Sequence, residues 1–182
     1  WLLPQTQTVG NNWRREAGKQ GIDPERIRIA AKLSKLDHLA RLRLADIALD
    51  TPLVNGAATT SDALWASVPV ITLQGSHFAS RMSQSILTAM GLPELVTSNL
   101  EDYVELAVTL ANDETRLSGL QEKVQQQRQT HALFDTSRFV RHLESAYRVM
   151  WANRIQGRPP QQIDVRALMG DRHPKEAEFV NC

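Results

Sequence analysis

Asp50-Thr51-Pro52-Leu53-Val54-Asn55-Gly56-Ala57-Ala58-Thr59-Thr60-Ser61-Asp62-Ala63-Leu64-Trp65 lies between two apolar runs, Ile47 to Leu49 and Val68 to Leu73. The first run ends in an acidic residue and turn formers. A small, hydroxyl-rich segment then opens a helix predicted to start between Thr59 and Asp62. The order is therefore strand, loop, helix, strand. N–H groups in the first turn of a helix have no intrahelical partner and carry the positive end of the dipole. A loop stripped of bulky side chains at that point lets an anion approach closely. Thr, Ser and Asp at a helix start are equally the residues of ordinary capping, so the pattern alone admits both a phosphate site and a plain cap.

Upstream, Trp1 to Leu3 reads as a first strand, and Asn11-Asn12 as the cap of a helix through Ala17. Alternation over Arg26 to Ala30 predicts a second strand. Ser34 and Asp37 have the spacing of a capping box, and Leu36, Leu39 and Leu42 give the helix from Ser34 to Leu44 an apolar stripe. Lys35, His38 and Arg41, each three apart, share a face of that helix. Ile47 to Leu49 and Val68 to Leu73 are the third and fourth strands, the latter continuous and β-branched, as a strand covered on both faces requires. Downstream, Ala79 to Met90 is helical and stops at Gly91 and Pro93. Leu95 to Thr97 is a fifth strand. Asn99 caps a helix to about Leu110, Asp113 another to about Gln129, and Ser137 to Arg154 forms a long amphipathic helix. Strands alternating with helices imply βαβ units and a parallel sheet. The expectation is one doubly wound, Rossmann-like α/β domain over residues 1–157, followed by a polar, irregular tail over 158–182.

The 182 residues are 42% hydrophobic and 23% charged, ordinary for one globular domain. No apolar run reaches membrane-spanning length and no signal peptide is visible, so a soluble intracellular chain is expected. Cys182 is the only cysteine, which excludes an internal disulfide and a cysteine-based metal site. His77, His131, His142 and His173 are scattered without metal-ligand spacing, and neither a P-loop nor a glycine-rich dinucleotide fingerprint is present. Charge is uneven: residues 13–43 carry nine Lys/Arg against four Asp/Glu, and residues 44–117 two against nine. No aromatic platform accompanies the early basic cluster, which argues for a solvated face over a nucleic-acid site.

Leu44-Ala45-Asp46, Leu49-Asp50-Thr51-Pro52, Asn55-Gly56, Thr59, Asp62-Ala63-Leu64-Trp65-Ala66 and Val68-Pro69-Val70-Ile71-Thr72 together resemble the C-terminal catalytic half of the O-GlcNAc transferase family, which includes the plant SPINDLY-type protein O-fucosyltransferases. The likeness continues through Ala79-Ser80-Arg81, Gly91-Leu92 and Tyr147-Arg148-Val149-Met150-Trp151. It implies the C-terminal half of a two-domain GT-B glycosyltransferase, with the sugar nucleotide at the carboxyl ends of the strands. The implied reaction is transfer of N-acetylglucosamine from UDP-GlcNAc to Ser/Thr of proteins, with inversion and without a metal or other cofactor. Its implied partners are acceptor proteins and the N-terminal catalytic half and helical repeats of a longer, cytoplasmic parent chain. Trp1 opens directly on an apolar segment, so the sequence reads as a fragment, expected to be inactive alone. Catalytic residues are expected in the other half, and none is assigned here. A fucosyl or glucosyl donor, or a degenerate interaction module, is the alternative.

The resemblance also implies a donor-binding set. His38 matches the histidine that stacks on the uracil, with Lys35 and Arg41 close to base and ribose; imidazole supplies a flat face and the two cations supply donors. Without the resemblance, His38 is an ordinary surface or structural histidine. The family loop carries His-Thr-Thr or Gly-Thr-Thr where this chain has Ala57-Ala58-Thr59, followed by Thr60. Backbone donors to the diphosphate survive that change and one hydroxyl does not, unless Thr59 and Thr60 serve as the pair. Asp62 matches the acidic residue that binds the ribose hydroxyls, although a first-turn Asp also complements the helix dipole. Asp50 is expected to fix the turn after its strand.

Overall fold

The computed structural model describes residues 1–4 and 6–169. Three short parallel strands form the sheet, β1 (Ala48–Leu49), β2 (Val70–Leu73) and β3 (Val96–Thr97), in the order β1-β2-β3. Ala48 pairs with Val70 and Leu49 with Ile71; on the other side of β2, Thr72 pairs with Val96 and Leu73 with Thr97. Each strand falls where the sequence predicts one and is shorter at its N-terminal end. Val70, Ile71 and Thr72 are all at most 2% exposed. Successive strand residues point to opposite faces, so both faces of β2 are covered and the sheet is doubly wound.

α3 (Ala58–Trp65) links β1 to β2, α4 (Met82–Ala89) links β2 to β3, and α5 (Leu100–Asn112) follows β3; all three pack on β2. Their inward residues Leu64, Leu87 and Leu110 join Ile71, Met90 and Leu92 in the core. The chain leaves α4 through Gly91 at φ +68, where a Cβ would lie 2.6 Å from His131 Nε2. Left-handed backbone and lack of room both require glycine there. α6 (Glu114–Thr130) closes the domain against α3 and α5. The Arg128 guanidinium sits 5.1 Å above the Trp65 ring and donates to the Trp65 carbonyl, while Phe134 meets that ring edge-on at 5.1 Å.

The caps of α5 and α6 are those the sequence predicts: Asp102 N donates to Asn99 Oδ1 and Arg116 N to Asp113 Oδ1, at 2.8 and 2.9 Å. α2 (Lys35–Leu42) likewise starts after Ser34, whose hydroxyl accepts from Asp37 N. α7 (Thr136–Ile155) is the long C-terminal helix, and α8 (Val165–Met169) packs against it.

Four expectations differ. Trp1–Leu3 and residues 26–30 are not extended strands; they meet only at one parallel bridge, Leu2 to Ile29, through Leu2 N to Arg28 O and Ala30 N to Leu2 O. Pro24 starts a 3₁₀ turn at residues 24–26 that consumes part of the alternating segment. α1 (Gln7–Lys19) begins ahead of Asn11, because Thr6 is the residue with extended backbone whose hydroxyl accepts from Val9 N. The helix expected from Ala79 is divided into a 3₁₀ turn, Phe78–Ser80, and α4. The tail is helical at α8, where Ala167 N donates to Asp164 Oδ1; residues 170–182, with Pro174 and Cys182, lie outside the described residues. Among the described residues, no helix is long and apolar enough to cross a membrane.

Candidate functional site

β1 delivers Asp50 to the carboxyl edge of the sheet, and its carboxylate is held from two directions. Gly56 N donates to Oδ1 and Thr72 Oγ1 donates to Oδ2, both at 2.7 Å. The loop between β1 and α3 is thereby folded back on its own strand, the turn-fixing part expected of Asp50. Asn55 completes the loop: Nδ2 donates to Thr51 O at 2.8 Å, and its backbone N donates to Ala79 O at 2.9 Å, joining this loop to the one after β2. From α5, the Tyr103 hydroxyl donates to Asp50 O at 2.9 Å. Burial, and secondarily the Asp50 carboxylate, push this phenol up to about 12, so it remains a neutral donor.

Gly56 is where the backbone turns into α3. A Cβ on it would lie 2.5 Å from both Thr59 Oγ1 and Thr60 Oγ1, so no larger residue fits this arrangement. Ser83, from α4, donates to Gly56 O at 3.0 Å, and its hydroxyl lies 2.8 Å from that of Thr60. A serine hydroxyl has one proton. With that proton on Gly56 O, the Thr60 hydroxyl is the donor to Ser83 Oγ. Thr60 is 3% exposed and its proton is committed inside the protein, which differs from its expected place beside a phosphate.

Ala57, the residue before α3, supplies no side-chain cap, and Ala57, Ala58 and Thr59 are exposed. The start of α3 therefore presents backbone N–H groups and the Thr59 hydroxyl outward, with no carboxylate or hydroxyl of its own cap competing. α2 packs beside it and brings Lys35 into an ion pair with Asp62, one turn into α3. An ammonium and a helix N-terminus thus converge on one surface, an arrangement suited to an anion carrying more than one charge.

On the other side of Lys35, His38 Nδ1 lies 3.2 Å from an Arg41 guanidinium nitrogen. Arg41 also donates to Ala31 O at 2.8 Å, and its guanidinium carbon stands 5.8 Å from the Trp1 ring centroid. Among the described residues, Arg41 Nε and Asn55 Oδ1 are buried polar atoms without a hydrogen-bond partner. Such leftovers are uncommon in folded proteins and concentrate where a further group binds.

Of the expected residues, Lys35 and Asp62 meet directly, Ala57, Ala58 and Thr59 surround the helix start, His38 and Arg41 contact one another, and Thr60 points inward. Ser83, Thr72 and Tyr103 support the loop and were not singled out in the sequence; their partners lie 22 to 53 residues away, beyond the reach of a local pattern. A hollow of about 220 Å³ between α5 and α6 shares no residue with this surface, and its polar lining is partly self-paired through Lys123 and Glu94. The described residues hold no group of three or more His, Cys, Asp or Glu placed to bind a metal ion.

Comparison with known proteins supplies the context. The family model described as glycosyl transferase family 41 matches residues 1–143. The chain is 39% identical over 166 residues to the probable UDP-N-acetylglucosamine-peptide N-acetylglucosaminyltransferase SEC of Arabidopsis thaliana, covering 91% of this chain and 17% of that protein. It is 36% identical over 163 residues to the UDP-N-acetylglucosamine-peptide N-acetylglucosaminyltransferase of Caenorhabditis elegans, covering 90% of this chain and 14% of that one. A solved structure of a lysine-to-methionine mutant of Thermobaculum terrenum O-GlcNAc transferase superposes with a TM-score of 0.77 at 33% identity, over 84% of this chain and 29% of the other. The chain spans less than a fifth of the length of these two curated relatives.

Proposed function

Since this chain belongs to glycosyl transferase family 41, we propose that it is the donor-binding half of a cytoplasmic protein O-GlcNAc transferase. The observation that carries this reading is the start of α3, exposed and uncapped by any side chain, with the Lys35 ammonium beside it. The diphosphate of UDP-GlcNAc would accept from the backbone N–H groups near Ala58 and from the Thr59 hydroxyl. Lys35 and Asp62 would part, or turn jointly, to meet the ribose, and His38 would lie against the uracil with Arg41 behind it. A Ser/Thr hydroxyl of the acceptor attacks the anomeric carbon with inversion as its bond to the diphosphate oxygen breaks. The charge that grows on that oxygen is stabilised by the helix start and the ammonium, without a metal. The acceptor side belongs to the rest of a longer parent chain, an N-terminal catalytic half with helical repeats, so this chain alone binds nucleotide and catalyses nothing.

Isothermal titration tests this. UDP should bind more tightly than UMP by about 1.5–3 kcal/mol, the scale of hydrogen bonds to a charged group. Equal affinities would remove the phosphate assignment of the loop. GDP binding in preference to UDP would transfer the chain to a different sugar donor. Binding of no nucleotide would favour a non-catalytic interaction module, the reading that Ala57 and Ala58 support.

A further inference from the structure

α7 is amphipathic in the wrong sense for a helix that only covers its own domain. Its outward residues are Phe139, Leu143, Tyr147, Met150, Trp151 and Ile155, with Tyr147 58%, Trp151 67% and Ile155 68% exposed. They recur at intervals of four, four, three, one and four, a single stripe along the helix. The side turned inward is the smaller and more polar one: Arg138, His142, Ser145, Val149 and the buried Asn153. That side meets α8 and the turn at residues 132–134; Ser145 reaches Met169, and Arg158 returns to the Asn153 side chain. A large, aromatic-rich apolar surface left in water marks an interaction site, and Phe, Tyr, Trp and Met are the residues enriched in interface cores.

We propose that this stripe is the docking surface of α7 for an apolar groove elsewhere in the same parent polypeptide. The proposal rests on the reading that the chain is one part of a longer enzyme. Two observations choose this occupant over a second copy. The chain spans 17% and 14% of two relatives that it matches over nine-tenths of its own length, which leaves most of such a polypeptide to supply the groove. Moreover, a helix of twenty residues is about 30 Å long and about 10 Å wide. One face of it is small against the roughly 800 Å² per partner of a standard free-standing interface. Covalent continuity raises the effective concentration of the two surfaces and makes a contact of that size sufficient.

Thiol labelling read by mass spectrometry tests the proposal. Tyr147→Cys and Trp151→Cys replace exposed side chains that the domain does not use for packing, so both variants should fold. In the 182-residue chain the new thiols should label at the rate of a free thiol; in the full parent polypeptide they should label slower by about tenfold or more, since reaction then requires local opening. Equal rates in the two proteins would overturn the proposal. Protection already present in the 182-residue chain, and lost on dilution, would assign the stripe to a second copy and overturn it as well. So would protection of the parent polypeptide only in the presence of vesicles of anionic phospholipid. UDP titration of the same samples separates the two readings: retained UDP binding with unprotected thiols removes this inference alone, and protected thiols without UDP binding remove the donor-site reading alone.

Discussion

The hydroxyls of Thr60 and Ser83 lie 2.8 Å apart, and Ser83 passes the contact on to the carbonyl of Gly56. Two helices, α3 and α4, thus hold the residue at which the loop enters α3. Ser83→Ala leaves the Thr60 proton and the Gly56 carbonyl unpaired in a buried place, and each such loss costs about 1–3 kcal/mol. Urea unfolding should show a drop of that size. A variant as stable as the parent sequence would mean that water replaces the serine at no cost.

Gly56→Ala should be more damaging to binding than to folding. Its Cβ would overlap the Thr59 and Thr60 hydroxyls at 2.5 Å, and the loop can give way only by rotating Thr59 or shifting the start of α3. UDP affinity is expected to fall at least about tenfold, the effect of roughly 1.4 kcal/mol, while circular dichroism stays native. Unchanged UDP affinity would show that the loop geometry is irrelevant to the ligand.

Lys35→Met removes a partner of Asp62 that is itself largely exposed, with 62% of its side chain accessible. Pairs of that kind contribute about 0–1 kcal/mol to stability, so the melting temperature should hardly move. Affinity for UDP should fall, and its dependence on ionic strength should become shallower because one cation has left the site. A variant that loses stability and keeps its nucleotide affinity would make the pair a structural clamp.

The alanines of the loop can be tested by addition. Ala58→Thr places a hydroxyl at the exposed first position of α3 and should strengthen UDP binding by about 1 kcal/mol, the net scale of one hydrogen bond. Uridine binding should stay flat, since the gain requires phosphates. Thr59→Ala should do the reverse. If both variants bind UDP as the parent sequence does, hydroxyls take no part and only backbone donors remain.

Tyr103 gives a pH prediction. Its phenol titrates near 12 in the folded protein against 10.0 for the free group, so above pH 10 the unfolded chain releases the proton that the folded one retains. Stability is therefore present below pH 10 and lost as the pH rises towards 12. Tyr103→Phe should be less stable than the parent at pH 8 and show a weaker decline across that window. Parallel pH curves for the two would remove the Asp50 contact as the cause.

The helices were legible because their signals are local. Ser34, Asn99 and Asp113 each cap a backbone N–H three residues on, a distance within any sequence window. Asn11 misled for the same reason: it is a good cap by type, but Thr6 has the extended backbone that a cap needs. Strands depend on what lies beside them. Trp1–Leu3 and residues 26–30 have the composition of strands, yet they pair with each other at a single point and nothing extends the ladder. Within the site, Asp50 and Gly56 are six residues apart and Asp50 was read as a turn-fixing residue, whereas the burial of Thr60 depends on Ser83, 23 residues away on another helix.

The bond from Asn55 N to Ala79 O has a kinetic corollary. It fastens two crests of the sheet to each other before any ligand arrives, so the loop has little conformational entropy left to lose on binding. A site that is already formed is entered at a rate set by diffusion and charge, which nucleotides of similar charge share. Differences in affinity among them should then appear as differences in residence time, with association rates clustered together.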